Sequence, residues 1–425
     1  TSVAETGSTD TFTVVLNAQP ASNVVLSISS SDAGEATVTS ALTFTTANWN
    51  SAQTVTVTGA DDNLVDGTQT STLTISIVDA VTDDNFDGVA DQTVSATTTD
   101  NDVAGFTIAE SGGSTSVSES GTTDTFTIVL NAQPNSDVVL SITSSDTGEA
   151  TVTSALTFTA ANWNSAQTVT VTGANDNLID GTITSTITVA INDGSSDNNF
   201  DSVADQTVSV TTTDDDVAGF TIAQSGGSTS VSESGTTDTF TVVLNAQPAS
   251  NVVLSISSSD SGEATTTTSL LTFTSGNWNS AQTVTVTGID DNIIDGTINS
   301  TLTLAIVDAI TDDNFDSVAD QTVSVATTDD DVAGFTIAQS GGSTSVSESG
   351  TTDTFTVVLN AQPASNVVLN ITSGDTGEAT VTGTLTFTAA NWNSAQTVTV
   401  TGADDNLIDG TITSTLTVTV NDGSS

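Results

Sequence analysis

Lysine, arginine and histidine are all absent from this chain of 425 residues, whereas Asp and Glu together number 52. The formal net charge is therefore −52, and no side chain can neutralise any of it. Nucleic-acid phosphates are bound mainly through Lys and Arg, so this composition excludes a nucleic-acid partner. Anionic membrane surfaces are excluded for the same reason.

The same absences exclude several kinds of catalysis. Without His, Cys or Lys, the chain has no nucleophile or base of those types and no serine triad built on His. A pair of carboxylates could in principle hydrolyse a glycosidic bond. However, acids that recur in every repeat without an aromatic cleft suit ion binding better, so we expect that the protein is not an enzyme.

Cysteine is missing too, so no disulfide braces the fold, which is compatible with any compartment. No apolar run approaches the roughly 20 residues of a transmembrane helix, and we expect no membrane insertion. Hydrophobic residues make up 35% of the chain, which is too many for a compositionally disordered protein. The composition therefore indicates a folded protein outside the bilayer.

A long internal repeat organises the chain. Its four tryptophans, Trp49, Trp163, Trp278 and Trp392, lie at intervals of 114, 115 and 114 residues, each within "NWNSAQTVTVTG". This period is near the usual domain size, so we predict one domain per repeat: 1–102, 103–216, 217–331 and 332–425.

The two terminal repeats are expected to be incomplete. The first strand of repeat 1 is cut short and the last strand of repeat 4 is missing, so the chain resembles a window on a longer array. The alternative is that partner chains supply the missing strands.

Alternating apolar and Thr or Ser residues predict strands throughout each repeat. Repeat 2 shows seven such segments, lettered A to G, with a broken strand A in "AGFTIAE" and "STSVSES". Each strand is apolar on one face only, and no helical stretch is apparent. We therefore predict an all-β protein: a tandem array of seven-stranded antiparallel Ig-like β-sandwiches joined head to tail, with Trp and Phe in the core.

The acids gather in loops rather than strands. If successive strands run in opposite directions, the A–B, C–D and E–F loops and the end of strand G share one end of the sandwich. In repeat 2 that end collects nine carboxylates: Glu119, Asp124, Asp146, Glu149, Asp176, Asp180, Asp214, Asp215 and Asp216. The opposite end collects mainly the acids of the F–G loop, which either add ligands across the junction or are simply solvated.

Nine carboxylates at one end repel one another by something on the order of 10 kcal/mol, comparable with the stability of a domain. Protonation, high salt or a bound multivalent cation would relieve this repulsion. Oxygen ligands without His or Cys select Ca²⁺ or Mg²⁺, and several loops of loose geometry favour Ca²⁺. We therefore predict Ca²⁺ sites, the alternative being an acidic surface that is merely solvated.

The motifs "VSESG", "NWNSAQTVTVTG" and "TTDDD", in this order and spacing, resemble the Calx-beta family of sodium–calcium exchangers, integrins and bacterial surface proteins. The resemblance covers all four repeats and implies calcium ligands at the matching positions. In repeat 1 these are Glu5, Asp61, Asp62, Asp66, Asp100 and Asp102. In repeat 2 they are Glu119, Asp176, Asp180, Asp214, Asp215 and Asp216. In repeat 3 they are Glu233, Asp290, Asp291, Asp295, Asp329, Asp330 and Asp331. In repeat 4 a partial site at most is implied, from Glu348, Asp404, Asp405 and Asp409.

The chain departs from the family pattern at some of these positions. Asn175 replaces the first Asp of the E–F pair, and Asn101 replaces the middle Asp of the terminal triplet. The family often has Glu where this chain has Asp66, Asp180 and Asp295. A further ligand from the C–D loop is plausible by position, and the candidates are Asp32, Asp146 and Asp260.

Together these observations favour a calcium-stiffened, extracellular repeat array that serves as a structural stalk or adhesin segment on a bacterial surface. Its partners would be calcium ions and neighbouring repeats or identical chains. The first alternative is a self-assembling extracellular filament subunit completed by strand addition between neighbours. The second is a glycan- or ice-binding module on Thr-rich strands such as "TVTVTG".

Overall fold

The computed structural model describes residues 1–423, and β-strands make up most of its regular structure, which confirms the all-β prediction. The described chain divides into two compact units. The first comprises Thr1–Asp176 and Asp180–Asp215, and the second comprises Asn177–Ile179 and the chain from Asp216 onward. No helix in this described part is long and apolar enough to cross a membrane.

The strands repeat in the order of the sequence. Repeat 1 contains β1 Ser2–Ala4, β2 Thr9–Val14, β3 Val24–Ser30, β4 Ala36–Val38, β5 Ala41–Phe44, β6 Gln53–Gly59, β7 Gln69–Ile77 and β8 Gln92–Thr99. Repeat 2 contains β9 Phe106–Glu110, β10 Thr115–Ser118, β11 Thr123–Leu130, β12 Val138–Ser144, β13 Ala150–Val152, β14 Ala155–Phe158, β15 Gln167–Gly173, β16 Thr182–Ile191 and β17 Gln206–Thr213.

The second unit continues the pattern. Repeat 3 contains β18 Phe220–Gln224, β19 Thr229–Ser232, β20 Thr237–Leu244, β21 Val252–Ser258, β22 Ala264–Thr266, β23 Leu270–Phe273, β24 Gln282–Gly288, β25 Ile298–Ile306 and β26 Gln321–Thr328. Repeat 4 contains β27 Phe335–Gln339, β28 Thr352–Leu359, β29 Val367–Ser373, β30 Ala379–Val381, β31 Thr384–Phe387, β32 Gln396–Gly402 and β33 Leu416–Val420. Short 3₁₀ helices lie at Asp79–Val81, Ser111–Gly113, Asp193–Ser195, Asn198–Phe200, Ser225–Gly227, Asp308–Ile310, Asp313–Phe315 and Ser340–Gly342.

Every sheet draws its strands from a single repeat. In repeat 2 one sheet has the order β10-β17-β16-β12-β14 and the other has the order β13-β15-β11-β9. Repeat 3 has the corresponding orders β19-β26-β25-β21-β23 and β18-β20-β24-β22. The domain limits at 1–102, 103–216, 217–331 and 332–425 stay a prediction, although this pairing agrees with them.

Strands A and D are each split between the two sheets. The sequence predicted the break in strand A but not the one in strand D. Strand A is split into β9, antiparallel to β11, and β10, which runs parallel to β17. Between them Gly112 has a φ of 71°, a conformation that Gly adopts without steric cost. Strand D is split into β13 and β14, which pair with β15 and β12 respectively. The sandwich is thus antiparallel except where the second half of strand A meets strand G.

Alternate residues along each strand point inward and form the core. In β12, Val138, Leu140 and Ile142 are buried with the intervening residues half-buried, and Phe126 and Phe158 are fully buried. Burying each such side chain contributes about 1.5–3 kcal/mol. The Phe prediction is confirmed, whereas Trp163 is only partly buried and packs against the core. On the outer face, Thr rows pair across strands, as in Thr125 with Thr170.

Repeat 4 lacks part of this architecture in the described residues. Its second sheet has the order β31-β29-β33, and "STSVSES" forms no strand there. In repeats 2 and 3 the same segment pairs with strand G. Strand F is also shorter, with five residues in β33 against ten in β16. In repeats 2 and 3 strand G pairs with both of these segments.

Candidate metal centre

In repeat 1 the loops bring five carboxylates to one end of the sandwich, as the sequence predicts. Oxygens of Glu5, Asp100 and Asp102 lie within 4.8 Å of one another, and so do oxygens of Glu5, Glu35 and Asp66. Glu5 follows β1 and belongs to both groups. The two groups therefore share the carboxylate of Glu5.

Corresponding trios occur in repeats 2 and 3. Oxygens of Glu119, Glu149 and Asp180 lie within 4.8 Å of one another in the first unit, and those of Glu233, Asp329 and Asp331 do so in the second. Apart from Glu149, the members of these trios are ligands implied by the Calx-beta resemblance, and they come from loops far apart in sequence. Asp216 belongs to the second unit, and its role stays a prediction.

The central glutamates are deeply buried and carry oxygens without partners. Glu5, Glu119 and Glu233 each expose 1% of their surface. Both carboxylate oxygens of Glu119 and of Glu233 are buried and accept no hydrogen bond from the described residues. A buried carboxylate without hydrogen bonds or a cation is strongly unfavourable, and this chain contains no Lys, Arg or His side chain to pair with it. These groups must therefore either take up protons or bind a cation.

Their pKa values reflect this environment. Burial, together with the negative charges of Asp214 and Asp176, raises the pKa of Glu119 to about 7. Burial also raises the pKa of Glu35 and of Glu233 to about 7. The group would therefore hold protons near neutral pH unless a cation replaces them.

The first of the acids that follow strand G has a different role. Asp100 Oδ2 accepts hydrogen bonds from the backbone N–H groups of Asp66, at 3.0 Å, and Gly67, at 2.8 Å. Asp329 makes the same bonds to Asp295 and Gly296, and these N–H groups lower its pKa. This Asp fixes the E–F loop against the end of strand G, so it shapes the centre as well as lining it.

The middle acids of the terminal groups face solvent. Asp330 and Asp215 are exposed, and so is Asn101 in repeat 1. The first position of the E–F pair is exposed too, as shown by Asp61 and Asn175. The two Asn residues that depart from the family pattern therefore fall outside the buried trios, whereas Asp66 and Asp180, where the family often has Glu, lie within them. The second residue of the E–F pair is half-buried in repeat 1, where Asp62 accepts a hydrogen bond from the backbone N–H of Leu64 at 2.8 Å.

The sequence analysis did not select Glu35, Glu149 and Glu263 as ligands. These glutamates expose 5–6% of their surface, and one oxygen of each is buried and accepts no hydrogen bond from the described residues. Asp146, the C–D candidate in repeat 2, instead accepts the N–H of Gly148 at 2.9 Å and closes a turn. The recurrent "GEA" is the sequence signal that could have identified these ligands. In repeat 2 its Ala150 is the buried first residue of β13, so the preceding Glu149 lies at the buried start of that strand.

Two further contacts fix the glutamates. The buried Thr212 hydroxyl on strand G donates to the carbonyl oxygen of Glu149 at 3.4 Å. A Cβ on Gly173, at the end of "TVTVTG", would lie 2.0 Å from the carbonyl oxygen of Ser118, so only Gly fits there. This close approach holds the chain directly before Glu119.

The acids of the F–G loop form a contrasting group. Asp197 is also buried, but it accepts the N–H groups of Ser136 at 2.8 Å and Asn199 at 3.0 Å. Its counterpart Asp83 has a lowered pKa because the N–H groups of Ser22 and other residues stabilise the charged form. Burial alone does not indicate a cation site here, because backbone donors satisfy these carboxylates.

Repeat 4 has the expected residues in a more open arrangement. Glu348 and Asp405 are half-buried, whereas Asp404 and Asp409 are exposed. Burial raises the pKa of Glu378, the counterpart of Glu149, and Asp409 and Asp405 add to this shift. The implied partial site thus agrees with the absence of strand G from the described part of this repeat.

Within the first unit, the E–F loop of repeat 1 also contacts repeat 2. Leu64 forms a β-bridge with Gln133, whose N–H donates to the carbonyl oxygen of Asn63 at 2.7 Å. The Asn199 side-chain amide donates to the carbonyl oxygen of Val65 at 2.6 Å. The loop that carries Asp62 and Asp66 is therefore attached to the following repeat, and we call these contacts the E–F clasp.

The second unit repeats the clasp. Ile293 forms a β-bridge with Gln362, whose N–H donates to the carbonyl oxygen of Asn292 at 2.7 Å. Asn314 donates to the carbonyl oxygen of Ile179 at 3.0 Å, as Asn199 does to Val65. By contrast, Val332 is 74% exposed, so apolar packing of this residue does not hold the junction.

No protein-family model matches this chain, and no curated protein matches it. Among solved structures, CBD12 from CALX1.2 is 12% identical over 52% of this chain and 99% of its own, with a TM-score of 0.22. Domains 4–9 of the surface-layer protein SbsC are 17% identical over 94% and 56%, with a TM-score of 0.23. The human desmocollin-1 ectodomain is 9% identical over 93% and 70%, with a TM-score of 0.26. TM-scores this low carry no argument about the function of this chain.

Proposed function

We propose that this protein is a calcium-stiffened, extracellular repeat array that serves as a structural stalk or adhesin segment on a bacterial surface. The observation that supports this most strongly is the buried trio Glu119, Glu149 and Asp180, in a chain without Lys, Arg or His. Such a group is unfavourable without a counter-charge, and a bound cation supplies one.

The trios fit calcium. Their donors are all carboxylate oxygens, which hard cations prefer. Calcium–oxygen distances of about 2.3–2.6 Å place opposite ligands up to about 5 Å apart, which suits oxygens within 4.8 Å of one another. In repeat 1, Glu5, Glu35, Asp66 and Asp102 would hold the ions, and Asp100 would fix the loop that carries Asp66. The bound ions would supply the positive charge that keeps the buried carboxylates ionised.

The E–F clasp supports the mechanical part of the proposal. Asp62 and Asp66 flank the three residues of the loop that pair with Gln133 and Asn199 of the next repeat. An ion that holds Asp66 against Glu5 would also fix the loop to which repeat 2 is attached. Without the ion, mutual repulsion would loosen the loop and the junction together.

The extracellular location follows from the same chemistry. Extracellular calcium modules bind with dissociation constants of roughly 10⁻⁴–10⁻³ M, which suits media that contain millimolar calcium. A structural role fits repeats that differ little from one another and whose acids recur in each copy. The alternative, a self-assembling extracellular filament subunit completed by strand addition between neighbours, remains a proposal of its own.

Calorimetry of the whole chain tests the calcium proposal. A ligand that binds only the folded state stabilises it by about 2.7 kcal/mol per site at 100 times its dissociation constant. We expect the melting temperature to rise by several degrees or more between chelator and millimolar CaCl₂. NaCl at matched ionic strength is the control for screening. An equal rise in NaCl would show that the repeats need only salt and would contradict a specific site.

A further inference from the structure

The E–F loop of repeat 1 carries one residue that belongs to the hydrophobic core of repeat 2. Val65 is 8% exposed and lies in the same buried cluster as Phe106 and Phe200. Its backbone is held on both sides, because its N–H donates to the carbonyl oxygen of Gln133 at 3.0 Å and its carbonyl oxygen accepts the Asn199 amide at 2.6 Å. Repeat 2 therefore completes its core with a side chain from the repeat before it.

The second unit contains the same insertion. Ile179 is 9% exposed and lies in the core cluster of repeat 3. Its N–H donates to the carbonyl oxygen of Gln247 at 3.2 Å, and its own carbonyl oxygen accepts the side-chain amide of Asn314 at 3.0 Å. The insertion of an aliphatic residue between these two partners thus occurs in both units, with Val in one and Ile in the other.

Within the first unit the insertion has one direction. Among the described residues, the core clusters of repeat 1 contain only side chains of that repeat, from Val3 to Ala96. The core cluster of repeat 2 contains Val65 in addition to its own residues. The core of repeat 2 therefore depends on where repeat 1 holds Val65, whereas the core of repeat 1 requires no side chain from repeat 2.

The inserted residue is the chain neighbour of a carboxylate in the acidic centre. Asp66 follows Val65, and oxygens of Asp66, Glu5 and Glu35 lie within 4.8 Å of one another. Asp100 also accepts a hydrogen bond from the N–H of Asp66 at 3.0 Å. An ion bound by the trio would hold this part of the loop in place, and mutual repulsion would loosen it without the ion. The position of Val65 would then depend on whether the centre of repeat 1 is occupied.

We propose that calcium bound in repeat 1 stabilises the core of repeat 2 through Val65, a step that rests on the calcium function proposed above. An ordered loop presents Val65 to repeat 2 with little further loss of conformational entropy, whereas a loose loop must first be ordered. Such coupling is reciprocal, so a folded repeat 2 also raises the calcium affinity of repeat 1. The coupling joins the centre of repeat 1 to the core of repeat 2 and does not join the centre of repeat 2 to the core of repeat 1.

Hydrogen exchange of the whole chain, in saturating CaCl₂ and in chelator, tests the coupling and its direction. Strands β11 and β12 report on repeat 2, and strands β3 and β7 report on repeat 1. In calcium, Glu5→Gln should make β11 and β12 exchange about fivefold faster or more. Glu119→Gln, the matched change in repeat 2, should leave the exchange of β3 and β7 unchanged. Equal effects in both directions, or an unchanged repeat 2 in the Glu5→Gln chain, would overturn the proposal.

Variants at the inserted position test the route of the coupling. Val65→Ala removes two methyl groups from the core of repeat 2, so its exchange should be about tenfold faster and should no longer respond to Glu5→Gln. Val65→Ile introduces the residue type found at Ile179 and should keep the response. Val103→Ala is the matched control, because Val103 lies between the same two repeats and is 76% exposed, and it should change neither repeat. If Glu5→Gln affects repeat 2 equally in the Val65→Ala chain and in the unmodified chain, the coupling does not run through Val65 and the proposal fails.

The comparison of calcium with chelator separates this coupling from the calcium function. If calcium protects both repeats and Glu5→Gln alters repeat 1 alone, the calcium function stands and the coupling fails. If calcium protects neither repeat, the calcium function fails and the coupling fails with it. If Glu5→Gln alters repeat 2 equally in calcium and in chelator, the two repeats communicate without the ion, which also overturns the proposal.

Discussion

The side-chain amide of Asn199 donates a hydrogen bond of 2.6 Å to the carbonyl oxygen of Val65, 134 positions earlier in the chain. The acceptor lies one residue before Asp66, whose carboxylate belongs to the buried trio with Glu5 and Glu35. One contact thus links the centre of repeat 1 to the F–G loop of repeat 2.

The substitution Asn199→Ala is expected to loosen this junction without unfolding either repeat. It removes one hydrogen bond, which contributes about 1 kcal/mol. Because the chain has no Cys, two introduced cysteines can carry spin labels in repeats 1 and 2. We expect the calcium-bound distance distribution to broaden in the variant.

Asn85 provides the matched control. Its side-chain amide donates within its own repeat, to Asp83 at 2.8 Å, so Asn85→Ala should leave the distance distribution between repeats 1 and 2 unchanged. If Asn199→Ala and Asn85→Ala give the same distribution, the clasp has no role in stiffness.

Neighbouring acids of the terminal group should differ in their effect on calcium binding. Asp331→Asn removes a half-buried carboxylate of the trio with Glu233, whereas Asp330→Asn changes an exposed one. We expect the first substitution to lower calcium affinity at that centre at least tenfold and the second to change it less than threefold. Isothermal titration calorimetry measures both, and the reverse order would place the ion outside the trio.

Glu149→Gln should have opposite effects in chelator and in calcium. Without calcium it removes a buried charge whose pKa is raised by burial and by Asp180, so the melting temperature should rise. With calcium it removes a ligand, so the stabilisation by calcium should shrink. Glu110→Gln, at an exposed position of β9, is the control and should move neither value by more than about a degree. A fall in chelator would show that Glu149 is stabilised by contacts within the protein.

Calcium should also remove the pH dependence of stability between about pH 5 and 7. The folded-state pKa values of Glu35, Glu119 and Glu233 are raised to about 7, above the unfolded value, so the folded state binds more protons between about pH 4.5 and 7. In chelator, stability should therefore fall as the pH rises through this window and level off above it. In saturating calcium the same carboxylates are ionised in the folded state and, above about pH 5, in the unfolded state as well, so this fall in stability should disappear. Thermal unfolding at pH 5, 6, 7 and 8 gives both curves, and a falling curve in calcium would exclude these carboxylates as ligands.

The sequence predicted much of this architecture because the strands carry their own signal. Alternation such as Val138, Leu140 and Ile142 indicates one buried face, and strand order then places the loops at two ends. Because successive strands run in opposite directions, the segments that carry Glu5, Asp66, Asp100 and Asp102 all fall at one end of the sandwich.

Other features depend on packing that the sequence does not display. The division of strand D into β13 and β14 arises because its two halves meet different sheets, and that division places Glu149 at the buried end. The bond between Asn199 and Val65 depends on how closely one repeat approaches the next. The local pattern does not indicate that Asn199 bonds outside its loop, because Asn85 is likewise followed by Phe and Asp but bonds within its own loop.

The parallel pairing of β10 with β17 has a mechanical consequence for repeat 2. These two strands lie near opposite ends of the repeat in sequence, yet they run side by side with Thr115 beside Val210 and Ser118 beside Thr213. Tension applied along the chain would pull them in opposite directions and shear their hydrogen bonds all at once, rather than breaking them one after another. Glu119 and Asp214 come directly after the two strands, so an ion bound between their loops would cross-link the ends of the strand pair that bears the load.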